Sequence, residues 1–324
     1  MTSLQSVFFR AAAAAVVLTA AWSGTARAEY PDKPITLIVP WAAGGSTDQT
    51  ARVLSKAAEK DIGQPIIVEN KPGATTTLGM ADLAKAKPDG YTIGVLSSSA
   101  YLVPLQGRQV PYDTLKDFSF ISYYGDNLIG VAVLKDKPWK TLKDLIDDAK
   151  KNPGKIKYGT AGVGTTQHLT TESLQLQSGA KFVHIPQKGS AGSIPALLGS
   201  HVDFITETSV WAPFVETGQV RLLAVTTPER VKGYPNVPTL QELGYKSLRS
   251  IQAIIAPAGL PEDVRMRLET AFRKSLADKT FLDTMARLHM QVIDMPGAEV
   301  KKLVEGEVDE AKKLIATLDK KPSN

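Results

Sequence analysis

The residues best placed to do chemistry in this chain are glycines, hydroxyls and the backbone amides between them. Four segments share one pattern: an apolar run, a Gly-rich loop, then a Ser/Thr-rich helix start. They are Trp41–Thr47, Asn70–Thr77, Gly159–Thr166 and Gln187–Ser193. The first amides of a helix have no intrahelical partner and sit at the positive end of its dipole. Glycine lets backbone approach a ligand closely and adopt φ > 0. A Gly-rich turn between strand and helix is therefore a ready anion site. One such loop is commonplace in α/β proteins. Four of them, two in each half of the chain, suggest two similar lobes facing a shared cleft. In the first loop, Ser46 and Gln49 have capping-box spacing, so Ser46 is expected to serve its own helix. Thr47 and the amides of Gly44 and Gly45 then remain for a ligand.

Other chemistries find little support. No Gly-x-x-x-x-Gly-Lys-Ser/Thr occurs, and Gly159, Gly162 and Gly164 lack the spacing of a dinucleotide fingerprint. There is no Gly-x-Ser-x-Gly elbow and no His-Glu-x-x-His. A carboxylate suits the loops better than a nucleotide. The four histidines are scattered: His168 just inside a helix after a Gly-rich loop, His184 in a strand, His201 at a turn, His289 on a helix. No two share metal-ligand spacing with a carboxylate. Of these, His168 is best placed to reach a cleft. Asp48 falls in the first turn of a helix, where an acid favours the dipole for structural reasons alone. Asp203 opens a strand after the turn Gly199-Ser200-His201 and either faces the cleft or fixes the turn. Glu207 stands within Thr206-Glu207-Thr208. On a cleft wall it would repel a second ligand carboxylate and favour an amine or hydroxyl; otherwise it is a surface acid. No cofactor, metal or catalytic residue is expected.

The elements that must hold these loops alternate. Strands are expected at Ile35–Val39, Ile66–Val68, Tyr91–Leu96, Ile129–Leu134, Ile156–Tyr158, Phe182–Ile185, Phe204–Ile205 and Leu222–Val225. Helical spacing runs over Ala51–Lys60 and Leu142–Lys150, and the tail from Pro261 to Lys320 reads helical almost throughout. Strand–helix alternation implies α/β with mainly parallel sheets. No repeat period suggests a solenoid.

The ends and composition set the compartment. Arg10, the 12-residue apolar run Ala11–Trp22 and Ala26-Arg27-Ala28 form a secretory signal peptide with cleavage after Ala28. The run is too short to span a bilayer, which takes about 20 residues. The formal charge of +5 lies in no basic cluster, so nucleic acid is not an expected partner. There is no cysteine. That removes thiol chemistry and lipid anchoring, and a chain this long can bury a core without disulfides. A soluble, untethered, monomeric periplasmic protein is expected.

At the loops the sequence resembles the substrate-binding proteins of tripartite tricarboxylate transporters, the TctC or Bug family. The resemblance covers the whole mature chain. It is carried by Tyr30–Ile35, Ile38-Val39-Pro40-Trp41 through Gly44-Gly45 to Asp48, Asn70–Ala74, and Pro88–Thr92. It continues through Tyr158–Gly164 to His168-Leu169, His184-Ile185-Pro186, Lys188-Gly189, Leu223–Thr226, Glu229-Arg230 and Val237–Leu240. It implies a two-lobed type II periplasmic-binding-protein fold hinged on two crossover strands, Ile129–Leu134 and Ile251–Ala256. Lobe 1 would be residues 29–128 completed by 252–324, and lobe 2 residues 129–251. The site carried over by position would comprise Ala43, Gly44, Gly45 and Thr47, with Trp41 beside them, in lobe 1. In lobe 2 it would comprise Ala161, Thr165, Thr166 and His168, with Asp203 and Glu207 as further candidates. The expected partners are a small carboxylate and the membrane components of a tripartite tricarboxylate-type transporter.

The chain departs from the family's pattern where a ligand's distal part would lie. Thr75 and Thr76 stand where glycines are usual, Gln187 replaces an aromatic, and Thr206-Glu207-Thr208 is unusually acidic. The ligand's identity is thus left open. The rival functions are a sensor that presents its ligand to a membrane kinase and an exported enzyme on the same fold.

Overall fold

The β-branched run Ile35–Val39 forms β1, and its neighbours extend it into a sheet because apolar strands buried on both faces need no polar side. The computed structural model describes residues 30–319; the expected signal peptide and its cleavage site lie outside them. Two sheets carry the architecture. The first contains β1 (Ile35–Val39), β2 (Ile66–Asn70), β3 (Thr92–Ser97), β4 (Phe118–Asp126), β10 (Ile251–Pro257) and β11 (Val292–Pro296). The second contains β5 (Ile129–Leu134), β6 (Lys157–Thr160), β7 (Val183–Pro186), β8 (Phe204–Thr208) and β9 (Val220–Val225).

The strand orders are β11-β4-β10-β3-β1-β2 and β7-β6-β8-β5-β9. In the first sheet β1 runs parallel to β2 and β3, and β10 runs antiparallel to β3 and β4. In the second β6 runs parallel to β7 and β8, and β5 runs antiparallel to β8 and β9. The plan is shared: three parallel strands, then the strand that arrives from the other sheet, then a closing strand, β9 in the second sheet and β4 in the first, where β11 adds one more. The chain crosses at Asn127-Leu128 and returns through residues 226–250. The expected crossover strands behave more simply than the resemblance implied, for β5 pairs only in the second sheet and β10 only in the first. The two passes touch where the Asn127 amide donates to the Ser250 carbonyl at 2.7 Å.

Ten α-helices accompany the sheets among the described residues: α1 (Ser46–Ile62), α2 (Thr77–Ala84), α3 (Ser99–Leu105), α4 (Leu142–Lys151), α5 (Thr166–Ser178), α6 (Ser190–Leu198), α7 (Ala212–Glu216), α8 (Glu262–Ser275), α9 (Lys279–Arg287) and α10 (Gly297–Asp319). The apolar stripe Ala51, Leu54, Ala58 and Ile62 buries one face of α1. Thr141 and Asp144 close a capping box on α4. On α10, Val300, Val304, Val308, Ala311 and Ile315 keep helical spacing and join the core that contains Ile38, Tyr123 and Ala253. A second core forms around Val131, Tyr158 and Phe204, and a third around Ala132, Trp211 and Val225.

Every expected strand is present, within a residue or two of the expected bounds at most ends. Two features differ. The longest strand, β4, was not anticipated, because its serines and Gly125 interrupt the apolar run. The tail expected to be helical is broken by β11, which adds an antiparallel edge to β4. Among the described residues no helix is long and apolar enough to cross a membrane.

Candidate functional site

Parallel strands in one sheet deliver their carboxyl ends to the same side, and ligands of open α/β sheets collect there. The loops after β1, β3, β6, β7 and β8 meet around a small cavity. Trp41, Ala42, Gly45, Ser46 and Thr47 line it from the first loop, and Ser97, Ser98 and Ser99 from the turn after β3. Asn127 and Ser250 close its hinge side. Across from them stand Ala161, Thr166 and Gln167 from the loop after β6, Ser190 at the start of α6, and Thr208 at the end of β8. None of these residues is charged. The starts of α1, α5 and α6 therefore converge on one neutral, hydroxyl-rich space.

The first loop is held by an acid that does not enter it. Asp48 accepts from the Gly44 amide at 2.9 Å, from Asn70 Nδ2 at 2.9 Å and from Arg52 Nε at 2.9 Å. Burial alone would raise its pKa, but these three donors outweigh burial and hold the carboxyl low. Gly44 takes φ +88°, the left-handed region that glycine tolerates. The expected capping box on α1 does not form. Gly45 is the N-cap, without a side-chain bond. Ser46 Oγ instead donates to Asn127 Oδ1 at 2.8 Å, and Gln49 Nε2 turns back to the Gly44 carbonyl at 3.0 Å. One residue of register is the reason: Ser46 is already inside the helix, so its hydroxyl faces the hinge.

The site residues expected from the sequence divide. Trp41, Gly45, Thr47, Ala161 and Thr166 line the cavity. Ala43 and Gly44 are exposed and do not. Thr165 is fully buried as the N-cap of α5, accepting from the His168 amide at 3.2 Å and donating to the Gly162 carbonyl at 2.9 Å. His168 lies beside the cavity in a stack of rings, 4.3 Å from His184, which is 4.7 Å from Tyr158. Its Nδ1 accepts from the Gly164 amide at 3.3 Å. Burial, reinforced by Arg108, lowers its pKa to about 4, and burial beside His168 does the same for His184. Both rings are neutral at pH 7.

Asp203 is at the wrong end of its strand. It precedes β8, whose far end carries the cavity residue Thr208. Its carboxylate accepts from Lys137 Nζ at 2.7 Å and from the Lys157 amide at 2.9 Å. It fixes the turn. Glu207 is neither a surface acid nor a lining residue: it is fully buried behind the wall. Its Oε1 accepts from Gln167 Nε2 at 3.0 Å, Ser190 Oγ at 2.6 Å and the Thr208 amide at 2.7 Å, and Oε2 accepts from Ser193 Oγ at 2.8 Å. Burial pushes its pKa up, against the pull of those four donors.

Several lining residues were not anticipated. Ser97-Ser98-Ser99 directly follows β3, and a hydroxyl run at a strand's carboxyl end was a readable signal. Ser190 lies in a recognised loop. Asn127 and Ser250 carry no local signal, because only the pairing of two distant chain passes brings them together. The second Gly-rich loop serves the rim instead of the cavity, where Thr75 Oγ1 donates to the Val163 carbonyl at 2.9 Å. Gln106 Nε2 likewise reaches the Gly164 carbonyl at 3.2 Å. Among the described residues no group of three His, Cys, Asp or Glu is arranged to hold a metal.

Comparison with known proteins agrees with this geometry. The family model described as "Tripartite tricarboxylate transporter family receptor" matches residues 50–319. The chain is 37% identical over 310 residues to the Cupriavidus necator "UPF0065 protein in gbd 5'region", covering 95% of this chain and 94% of that one. It is similar to the solved periplasmic binding protein BugD, with TM-score 0.85, 31% identity, and 90% and 99% of the two chains covered. An R. palustris protein solved with adipate gives TM-score 0.83 at 26% identity, with 90% and 99% covered.

Proposed function

The chain belongs to the tripartite tricarboxylate transporter receptor family, and from that premise we propose that it is a periplasmic receptor. It captures a small carboxylate between its two lobes and delivers it to the membrane components of such a transporter. The family and the fold are those of solute-binding proteins. In this reading lobe 1 is built on the first sheet and lobe 2 on the second, and the ligand lies in the cavity between them.

The observation that carries the proposal is the cavity's combination of three helix starts with no charged lining residue. Amides and hydroxyls fixed in advance can replace an anion's hydration, and hydrogen bonds to a charged group contribute about 1.5–3 kcal/mol each. A wall without arginine or lysine holds a carboxylate by such donors. Lys188, the cation nearest in sequence to the fourth loop's helix start, is exposed and does not line the cavity. The R. palustris relative solved with adipate supports a carboxylate ligand.

Calorimetric titration with three- to six-carbon carboxylates and their amides tests this. Carboxylates should bind and the amides should not. Equal binding of amides, or loss of binding on replacing Lys188 alone, would show that the neutral cradle is not what holds the ligand. Fractionation of the producing cells should recover the protein in the periplasm.

A further inference from the structure

The cavity is neutral, but its two sides do not offer the same hydrogen-bonding ends, and Glu207 sets the difference. Gln167 Nε2 and the Thr208 backbone N–H only donate, and both bond Glu207 Oε1. That oxygen therefore carries no proton, whether or not the carboxyl is ionised. Ser190 lies 2.6 Å from the same oxygen, so the hydroxyl must donate to it. With its proton engaged there, Ser190 can only accept from Thr208, 3.1 Å away. The relay runs one way, from Thr208 to Ser190 to Glu207. It turns lone pairs of Ser190 and Thr208 toward the cavity. Gln167, held by its nitrogen, keeps its carbonyl oxygen unengaged by Glu207.

The opposite side adds donors. Ser250 Oγ accepts from Asn127 Nδ2 at 3.2 Å, so its own proton is available. The first-turn amides of α1 add further donors. Donors thus face the cavity from Ser250 and from the helix starts of α1, α5 and α6, while the hydroxyls of Ser190 and Thr208 face it as acceptors.

We infer that this receptor selects carboxylates that also carry a hydrogen-bond donor, a hydroxyl or an ammonium group, on the chain. The carboxylate meets the donors of Ser250 and α1, and the substituent donates to Thr208 and Ser190. This rests on the carboxylate reading above and narrows it. A plain carboxylate leaves the acceptor pair without a partner, and a second carboxylate there would face oxygen lone pairs with a buried carboxyl behind them.

Matched sets test the inference by calorimetry on the full-length mature protein: propionate, lactate and alanine; succinate, malate and aspartate; adipate, 2-hydroxyadipate and 2-aminoadipate. In the set of preferred length, a hydroxy or amino acid should bind at least about tenfold more tightly than the plain acid, the equivalent of one well-made hydrogen bond. Thr208→Val keeps the shape, removes the acceptor, and should erase that ratio. Glu207→Gln retains an oxygen for Gln167, Ser190 and Thr208, so the relay and the ratio should persist in that variant. Plain acids binding as tightly as their substituted partners would overturn the inference and leave the carboxylate reading standing, as would a ratio that survives Thr208→Val. Absence of binding by every carboxylate would remove the reading and the inference together.

Discussion

Single residues decide what the cleft accepts. Gly45 is the clearest case. A β-carbon there would meet the Ala42 carbonyl and Ser190 Cβ, each at 3.8 Å, which is ordinary contact. Its backbone, φ −72° and ψ 167°, suits any residue. Gly45→Ala should therefore bind nearly as the parent does, whereas the extra methyls of Gly45→Val enter the cleft and should abolish binding with the circular dichroism unchanged. Thr166→Val deletes a hydroxyl and keeps shape, so affinity should fall by about tenfold, or about 1.4 kcal/mol. His168 makes a different prediction. Its folded pKa of about 4 lies below the unfolded value of about 6.5. Its neutral form is the folded one, so the associated stability is complete above pH 6.5 and is lost as pH falls toward 4. The contribution is roughly 3 kcal/mol. His168→Gln still accepts from Gly164 and does not titrate. Denaturant unfolding at pH 7 and pH 5 should show a smaller loss in the variant; equal losses would mean the ring is not what titrates. At this scale the sequence was partly readable. Gly45 and Thr47 followed from loop position, and Ala161 and Thr166 from the family resemblance. Thr165 and Asp203 did not, because capping and salt bridging engage the same atoms that a ligand would need, and only coordinates show which use prevails.

At the scale of elements, the alternating pattern disclosed most strands and the loops that follow them, since burial on both faces leaves continuous apolar runs. It missed β4, where polar residues are tolerated because Ser122 and Gly125 sit against β10 and β11. It also gave the second Gly-rich loop too direct a role. Ala74, Thr75 and Thr76 all take positive φ, between 45° and 76°. Left-handed backbone costs a non-glycine residue roughly 1–2 kcal/mol. The strain is offset locally, because Thr75 reaches across to the Val163 carbonyl and bridges the two sheets' loops. Thr75→Gly should thus separate two properties. Relief of strain should hold or raise the melting temperature, and loss of the bridge should weaken ligand affinity by about threefold to tenfold. A variant that melts lower and binds normally would show the loop to be a stability element alone.

For the whole molecule, the repeated strand order predicts motion. Each sheet is completed within itself, and the backbone joins them only at Asn127-Leu128 and along residues 226–250. Rotation about the crossing disturbs no ladder, though Leu169 of α5 packs into the first sheet's core. Polar contacts between the lobes include Thr75 to Val163 and Gln106 to Gly164 on one rim, and Tyr234 Oη to His289 Nε2 at 3.0 Å, with Glu216 beside it, elsewhere. Hydrogen bonds of that kind contribute only about 0.5–1.5 kcal/mol each. Without a ligand they are too weak to hold the lobes together against the rotational freedom gained on opening. A bound carboxylate adds charge-assisted bonds from both sides and shifts the population to the closed form. Small-angle scattering should accordingly show a smaller radius of gyration with saturating ligand than without it. Gln106→Ala combined with Thr75→Val should leave the ligand-free curve unchanged and raise the ligand concentration needed for compaction. Equal radii with and without ligand would mean that the cleft is rigid and fills without closing.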